Sequence, residues 1–313
     1  MCKNLNGCAL KLALALLSLF AISTSSPAQK MTSSEVHMGI ANPEAFAAYW
    51  LSGEAEVNRY SLQIASGDGS YSTEARLTYF IEKVPLHRHS DTSQAPADSV
   101  PALRMHGLWP AAADSSSPTT STGVDTPIDF RRHPFTLYAA YRHQHLKDSS
   151  HAALQLREGG LHFMRKSFSP EGLDEHVEKK PMSYTEEDLW TRMRLETQML
   201  PLGQIDILPS LGHWSRSGNS LMAHKARAIL LIEVGDQQSN AEHYIYRLEY
   251  LDIDRRLEWR CTSTFPYTLL EYREDAPFGK NDPGKLHMTL RDQSKQPLEE
   301  VHKELPEWLR PLE

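Results

Sequence analysis

The chain has 313 residues, of which 40% are hydrophobic and 23% charged, with a net charge of −7. That length and balance fit one large globular domain or two small ones. The acidic excess speaks against a nucleic-acid backbone as main partner, since such partners select basic surfaces.

Residues 1–28 read as a secretory signal. Lys3 and Lys11 flank or enter an apolar run, Leu12 to Ile22, and the small residues Ser26-Pro27-Ala28 follow. The run is shorter than the about 20 residues that span a bilayer, so a cleaved signal is favoured over a retained anchor. Leu5-Asn6-Gly7-Cys8 has the local look of a lipoprotein box, but it precedes the apolar run and so stands in the wrong order. Of three cysteines, Cys2 and Cys8 lie in the signal. Cys261 alone remains, which excludes an internal disulfide. Its place beside Trp259 on an apolar face predicts a buried, inert thiol.

Residues 29–42 read as a disordered lead, and PEAFAAYW (43–50) as a short helix. Strands begin after Gly53. Glu54 to Ile64 and Glu74 to Glu82, around Gly67-Asp68-Gly69, form a predicted hairpin. Ser-, Thr- and Pro-rich stretches at about 87–99 and 111–128 read as flexible insertions. Between them VPALRMHGLWP reads as one strand. Strands resume at Phe135 to Tyr141, Ala152 to Leu156 and Leu161 to Phe168.

A short helix is predicted over Glu186 to Arg194, capped by Thr185, with Glu186 and Glu187 near its positive end. Leu189, Trp190 and Met193 form its expected buried stripe. Gln204 to Leu208 is a strand, and Ala223 to Val234 is the most apolar one. In HYIYRLEYLDIDRRLEWRCTSTFPYTLLEYRE the alternation is plain: Leu257, Trp259, Cys261 and Phe265 share one face, Glu258, Arg260, Thr262 and Thr264 the other. Asp252 to Arg256 reads as a solvated hairpin tip. Residues 278–313 read as a polar tail with a short helix around Leu298, Val301 and Leu305, ended by Pro306.

About nine to eleven strands joined by short gaps imply antiparallel pairing, because parallel pairing needs crossovers. The predicted architecture is all-β. It is one domain over 43–277, a strongly curved antiparallel sheet or open or half barrel with one short helix against it.

Few motifs carry chemistry. His106 in HGLWP resembles the first histidine motif of acid secretory ribonucleases, where the imidazole moves a proton. Their second motif, of the EWxKHGxC type, has no match: Leu257 to Cys261 and Glu307-Trp308-Leu309 supply no second His, and one Cys cannot build their disulfide frame. A strand end with a tryptophan and a proline turn is the simpler explanation of HGLWP. His87 with His89, and His143 with His145, have the H-x-H spacing that puts two imidazoles on one strand face, yet no third metal ligand is marked. Tyr244, Tyr246 and Tyr250 alternate on one face, as core or as the wall of an apolar ligand cavity. No GxSxG, P-loop, GxGxxG, HExxH or CxxC occurs. The sequence therefore names no catalytic, cofactor-binding or metal residue.

The segments YWLSGEAEVNRYSL, EARLTYFIEKV, VPALRM, DLWTRMRL with LPLGQIDILPS, and STFPYTLLEYRE together resemble, over about Tyr49 to Glu274, a set of exported Gram-negative bacterial proteins of unestablished activity. These often carry the label "septum formation inhibitor Maf". They differ from true Maf nucleotide pyrophosphatases, whose SxSxR-type motif has no counterpart in QKMTSSEVHMG here. The resemblance implies an exported, periplasmic or outer-membrane-associated protein and no catalytic residue. The expected function is non-enzymatic: binding of an apolar small molecule, or envelope maintenance beside an envelope protein, with no stable membrane span. The alternatives are a secreted ribonuclease-like hydrolase and a structural partner of an envelope complex.

Overall fold

A computed structural model describes residues 42–66, 69–85, 99–110, 119–128, 137–144, 149–157, 160–169, 172–180, 183–197, 200–217, 220–234, 242–279 and 282–305. The signal, the histidines His87, His89 and His145, and Glu307-Trp308-Leu309 lie outside the described residues.

Fifteen strands form one open sheet, in the order β8-β7-β6-β5-β4-β3-β2-β1-β15-β14-β13-β12-β11-β10-β9. In chain order they are β1 (Glu54–Ser66), β2 (Gly69–Pro85), β3 (Ser99–Pro110), β4 (Thr119–Pro127), β5 (Tyr138–Gln144), β6 (Ser149–Arg157), β7 (Gly160–Ser169), β8 (Gly172–Lys180), β9 (Tyr184–Thr185), β10 (Gly203–Leu208), β11 (His224–Val234), β12 (Glu242–Tyr250), β13 (Arg256–Thr262), β14 (Leu269–Gly279) and β15 (Asp282–Pro297). Helices are α1 (Pro43–Trp50), α2 (Glu186–Leu195), α3 (Leu211–Ser217) and α4 (Leu298–Glu304). Every pairing is antiparallel except the two-residue contact of β9 with β10. None of the described helices is long and apolar enough to cross a membrane.

Two tryptophans measure the curvature. Trp109 on β3 and Trp259 on β13 are five strand spacings apart, about 24 Å along a flat sheet. Both indoles nevertheless lie 5.9 Å from Trp190 of α2. The sheet therefore bends around the helix. Tyr60, Leu77, Met105, Val124, Tyr246, Leu257, Trp259 and Met288 share one core with Leu189 and Met193 of α2. A second concave patch, from β5, β6 and β7, packs on Leu208 and Leu211 of the β10–α3 segment. On the outer face, Ala55, Val57 and Phe80 pack on Val301 and Leu305 of α4.

Three expectations are corrected. The predicted tail contains β15, a sixteen-residue strand paired with both β1 and β14 at the middle of the sheet. The domain thus runs past residue 277. Leu286 and Met288 are buried while Lys285 and Thr289 are exposed, so a two-residue period is present. The insertion expected over 111–128 overlaps β4, whose TTSTGVDTP pairs with β3 and β5. Threonine suits a pleated surface when flanking strands supply the hydrogen bonds. Finally, α2 buries all ten of its residues, not a stripe.

Candidate functional site

The densest chemistry lies inside the curve, around α2. Its sequence, EEDLWTRMRL, has five charged residues, and each is buried. A buried charge costs several kcal/mol unless it is paired and hydrogen-bonded, so the partners explain why this helix sits where it does.

At the first turn, Thr185 accepts a hydrogen bond from the Asp188 N–H at 3.2 Å, the expected cap. The Glu186 carboxylate accepts from both terminal nitrogens of Arg255, from the Tyr250 hydroxyl and from the Ser210 N–H. Arg255 also donates through Nε to Glu274 at 3.0 Å. Tyr272 donates to the same carboxylate at 3.2 Å, and His213 lies 3.8 Å from it. Asp188 accepts from Arg192 and from the Thr126 hydroxyl of β4. Glu187 accepts from the Leu211 N–H. Burial, with the Glu186 charge beside it, pushes the Glu187 carboxyl up to about 8, so it is held neutral inside the fold.

The last turn is built differently. Alternation along β1 points Glu56, Asn58 and Tyr60 to the inner face. Glu56 is fully buried and accepts from Arg194, from the Tyr49 hydroxyl and from the Asn58 amide. The Arg194 guanidinium lies 5.6 Å from the Trp50 ring and 5.4 Å from the Tyr79 ring, a cation between two π faces. Helix α1, capped by Asn42, delivers Tyr49 and Trp50. Only one guanidinium nitrogen reaches a carboxylate. Nε and Nη1 of Arg194, the Tyr79 hydroxyl, Trp50 Nε1 and Asn58 Oδ1 are buried without a hydrogen-bond partner among the described residues. Burial raises the Tyr79 hydroxyl well above its ordinary range, so it stays protonated. The cluster thus holds donors and an acceptor to spare at the edge of an apolar interior.

Residues singled out from the sequence fare variously. His106 is buried in β3 on the face opposite Trp109, with Nε2 unpartnered among the described residues. Burial, then the charges of Arg76 and Arg104, lower it to about 4. Gly107 has a packing reason: a Cβ there would stand 2.6 Å from Thr122 Oγ1 and 2.9 Å from Trp109 Nε1. HGLWP is a strand that folds its tryptophan across a glycine. His143 lies in β5. No group of three or more His, Cys, Asp or Glu among the described residues could hold a metal ion. Cys261 is buried, and burial pushes its thiol up to about 12. Tyr246 and Tyr250 are core, while Tyr244 is half-buried. The hairpin tip is not wholly solvated: Asp252 and Asp254 are exposed, whereas Arg255 turns inward to Glu186 and Glu274. Likewise Glu186 and Glu187 are buried partners, not only a complement to the helix dipole.

Reading the sequence alone missed Glu56, Asn58, Tyr79, Arg194 and Arg255. A signal existed for two of them. Glu56 and Asn58 are in phase with Tyr60 and Leu62, so an apolar face carries two polar groups. Searches against protein-family models and against curated proteins return no match to this chain.

Proposed function

We propose that this is an exported, non-enzymatic protein that binds an apolar small molecule carrying a hydrogen-bond acceptor, inside the curve of its sheet. The observation that carries the reading is Arg194: a buried guanidinium with two unsatisfied N–H directions, set among aromatic rings that face an apolar interior. Such a group costs free energy until an acceptor reaches it. A ligand that buries an apolar body and presents one acceptor satisfies both demands, as small-molecule sites commonly do. Export rests on the basic, apolar and small-residue order of residues 1–28. The resemblance to exported Gram-negative proteins supports a periplasmic or outer-membrane-associated place.

The ribonuclease-like alternative gains nothing from His106. Its imidazole is buried, is held neutral above pH about 4, and has no second proton-transfer histidine that the motif demands. Native mass spectrometry after gentle purification tests the binding reading. An adduct of constant mass, released by organic solvent, is expected. A clean unliganded mass across preparations, with no uptake of added apolar compounds, would refute it.

A further inference from the structure

The two long borders of the sheet are treated unequally. At one, β8 reads GLDEHVEKK, with charges along its length. Charged edges of this kind repel foreign strands. At the other, β10 pairs with β11 only from His224 to Ala228. Beyond that point Ile229–Val234 is paired with β12 on one side and with no described strand on the other. The chain before β10 is turned inward instead: Tyr246 donates to the Pro201 carbonyl at 2.9 Å. This open stretch reads ILLIEV, and Leu231, Ile232 and Val234 are 39%, 62% and 71% exposed. Its one charge, Glu233, is paired with Arg260 at 2.7 Å. A long, apolar border with unpaired backbone groups is a template for another strand.

We propose that residues 229–233 pair antiparallel with the same stretch of a second copy of this chain. The geometry and the charge pattern select that occupant. A two-fold axis at Leu231 sets Leu231 against itself and Leu230 against Ile232 of the copy, apolar against apolar on both faces, while Ile229 lies opposite Glu233, whose charge Arg260 of its own chain already meets. It also keeps the outer faces of the two sheets on one side. Pairing β11 to the β8 border of the next molecule would oppose this apolar run to the exposed Glu178 and Lys179, and would propagate without closing. The two-fold arrangement closes and consumes the exposed border.

Analytical ultracentrifugation of the purified protein over a wide concentration series reads the association. The wild type is expected at twice the protomer mass. Leu231→Lys with Ile232→Lys is expected to raise the dissociation constant by about a hundredfold, since it buries unpaired charge at the seam. Val177→Lys on the β8 border is expected to leave it unchanged. Because Leu231 and Ile232 are already exposed, thermal unfolding of the diluted protein should move little. Hydrogen exchange along Ile229–Val234 should slow as concentration rises, a second readout that needs no variant. A wild type that stays monomeric overturns the proposal. So does association indifferent to L231K/I232K, association lost in V177K, or a monomer that instead carries an extended segment of another protein.

Discussion

At the first turn of α2, the Glu186 carboxylate meets a guanidinium, a phenol and a backbone N–H. At the last turn, the Arg194 guanidinium meets one carboxylate and keeps two nitrogens unpartnered among the described residues. Both ends are buried in the same curved sheet, so burial does not explain the difference. The first end closes a network between α2, the β12–β13 hairpin and β14, which fixes the helix against the sheet. The second end leaves hydrogen-bonding capacity beside aromatic rings. At the first end Glu187 Oε2 is the one carboxyl oxygen without a partner among the described residues, on a carboxyl held neutral; a network so nearly satisfied reads as an anchor, and a cluster with five such atoms reads as a site.

If that division holds, substitutions at the two ends should differ in kind. Arg255→Met strands two buried carboxylates, Glu186 and Glu274. It should cost about 3–5 kcal/mol in urea unfolding, with any ligand adduct lost only through unfolding. Arg194→Met leaves Glu56 with the Tyr49 and Asn58 donors, so the expected cost is smaller, about 2–3 kcal/mol. At temperatures where it remains folded it should release the adduct seen by native mass spectrometry. Equal stability losses with equal retention of the adduct would erase the distinction.

A third substitution sharpens the anchor itself. The Glu187 carboxyl titrates at 4.5 when unperturbed and at about 8 in the fold. Between those values the folded chain holds a proton that the unfolded chain has released. The stability contributed by this group is complete below the lower value and is lost as pH rises to the upper one. Glu187→Gln removes the titration, so it should gain on the wild type by about 1 kcal/mol per pH unit over most of the rise from about 5 to about 8. Parallel pH profiles for the two proteins would show that the carboxyl is not held neutral. The smallest expected effect is Thr185→Ala, which deletes the cap of α2 at a cost of about 1 kcal/mol in the same unfolding assay.

How much of this was legible depends on the element. The hairpin of β1 and β2, the strand of VPALRMHGLWP, α2 with its cap and the alternation of β13 all follow from period and turn chemistry. Strand β15 escaped because its last six residues, DQSKQP, are polar on both faces, and a bulge at Arg59–Tyr60 accommodates an extra residue opposite β1. Strand β8 escaped because the charges of a border strand mask a two-residue period. The site was less legible still. Five charges on a ten-residue helix read as a solvated face until tertiary structure supplies a counter-charge for Glu186 from a hairpin 69 residues away, and one for Arg194 from a strand 138 residues away. No local pattern encodes partners at that separation. The in-phase placement of Glu56 and Asn58 on an otherwise apolar strand face was the one visible trace.

The most direct test of the central claim is equilibrium titration of the folded wild type and of folded Arg194→Met with an environment-sensitive apolar dye that carries a carbonyl acceptor. Saturable one-to-one binding to the wild type is expected, weakened about tenfold or more in the variant, as loss of a hydrogen bond from a charged donor implies. Absence of saturable binding to the wild type, or identical affinity for both proteins, would contradict it.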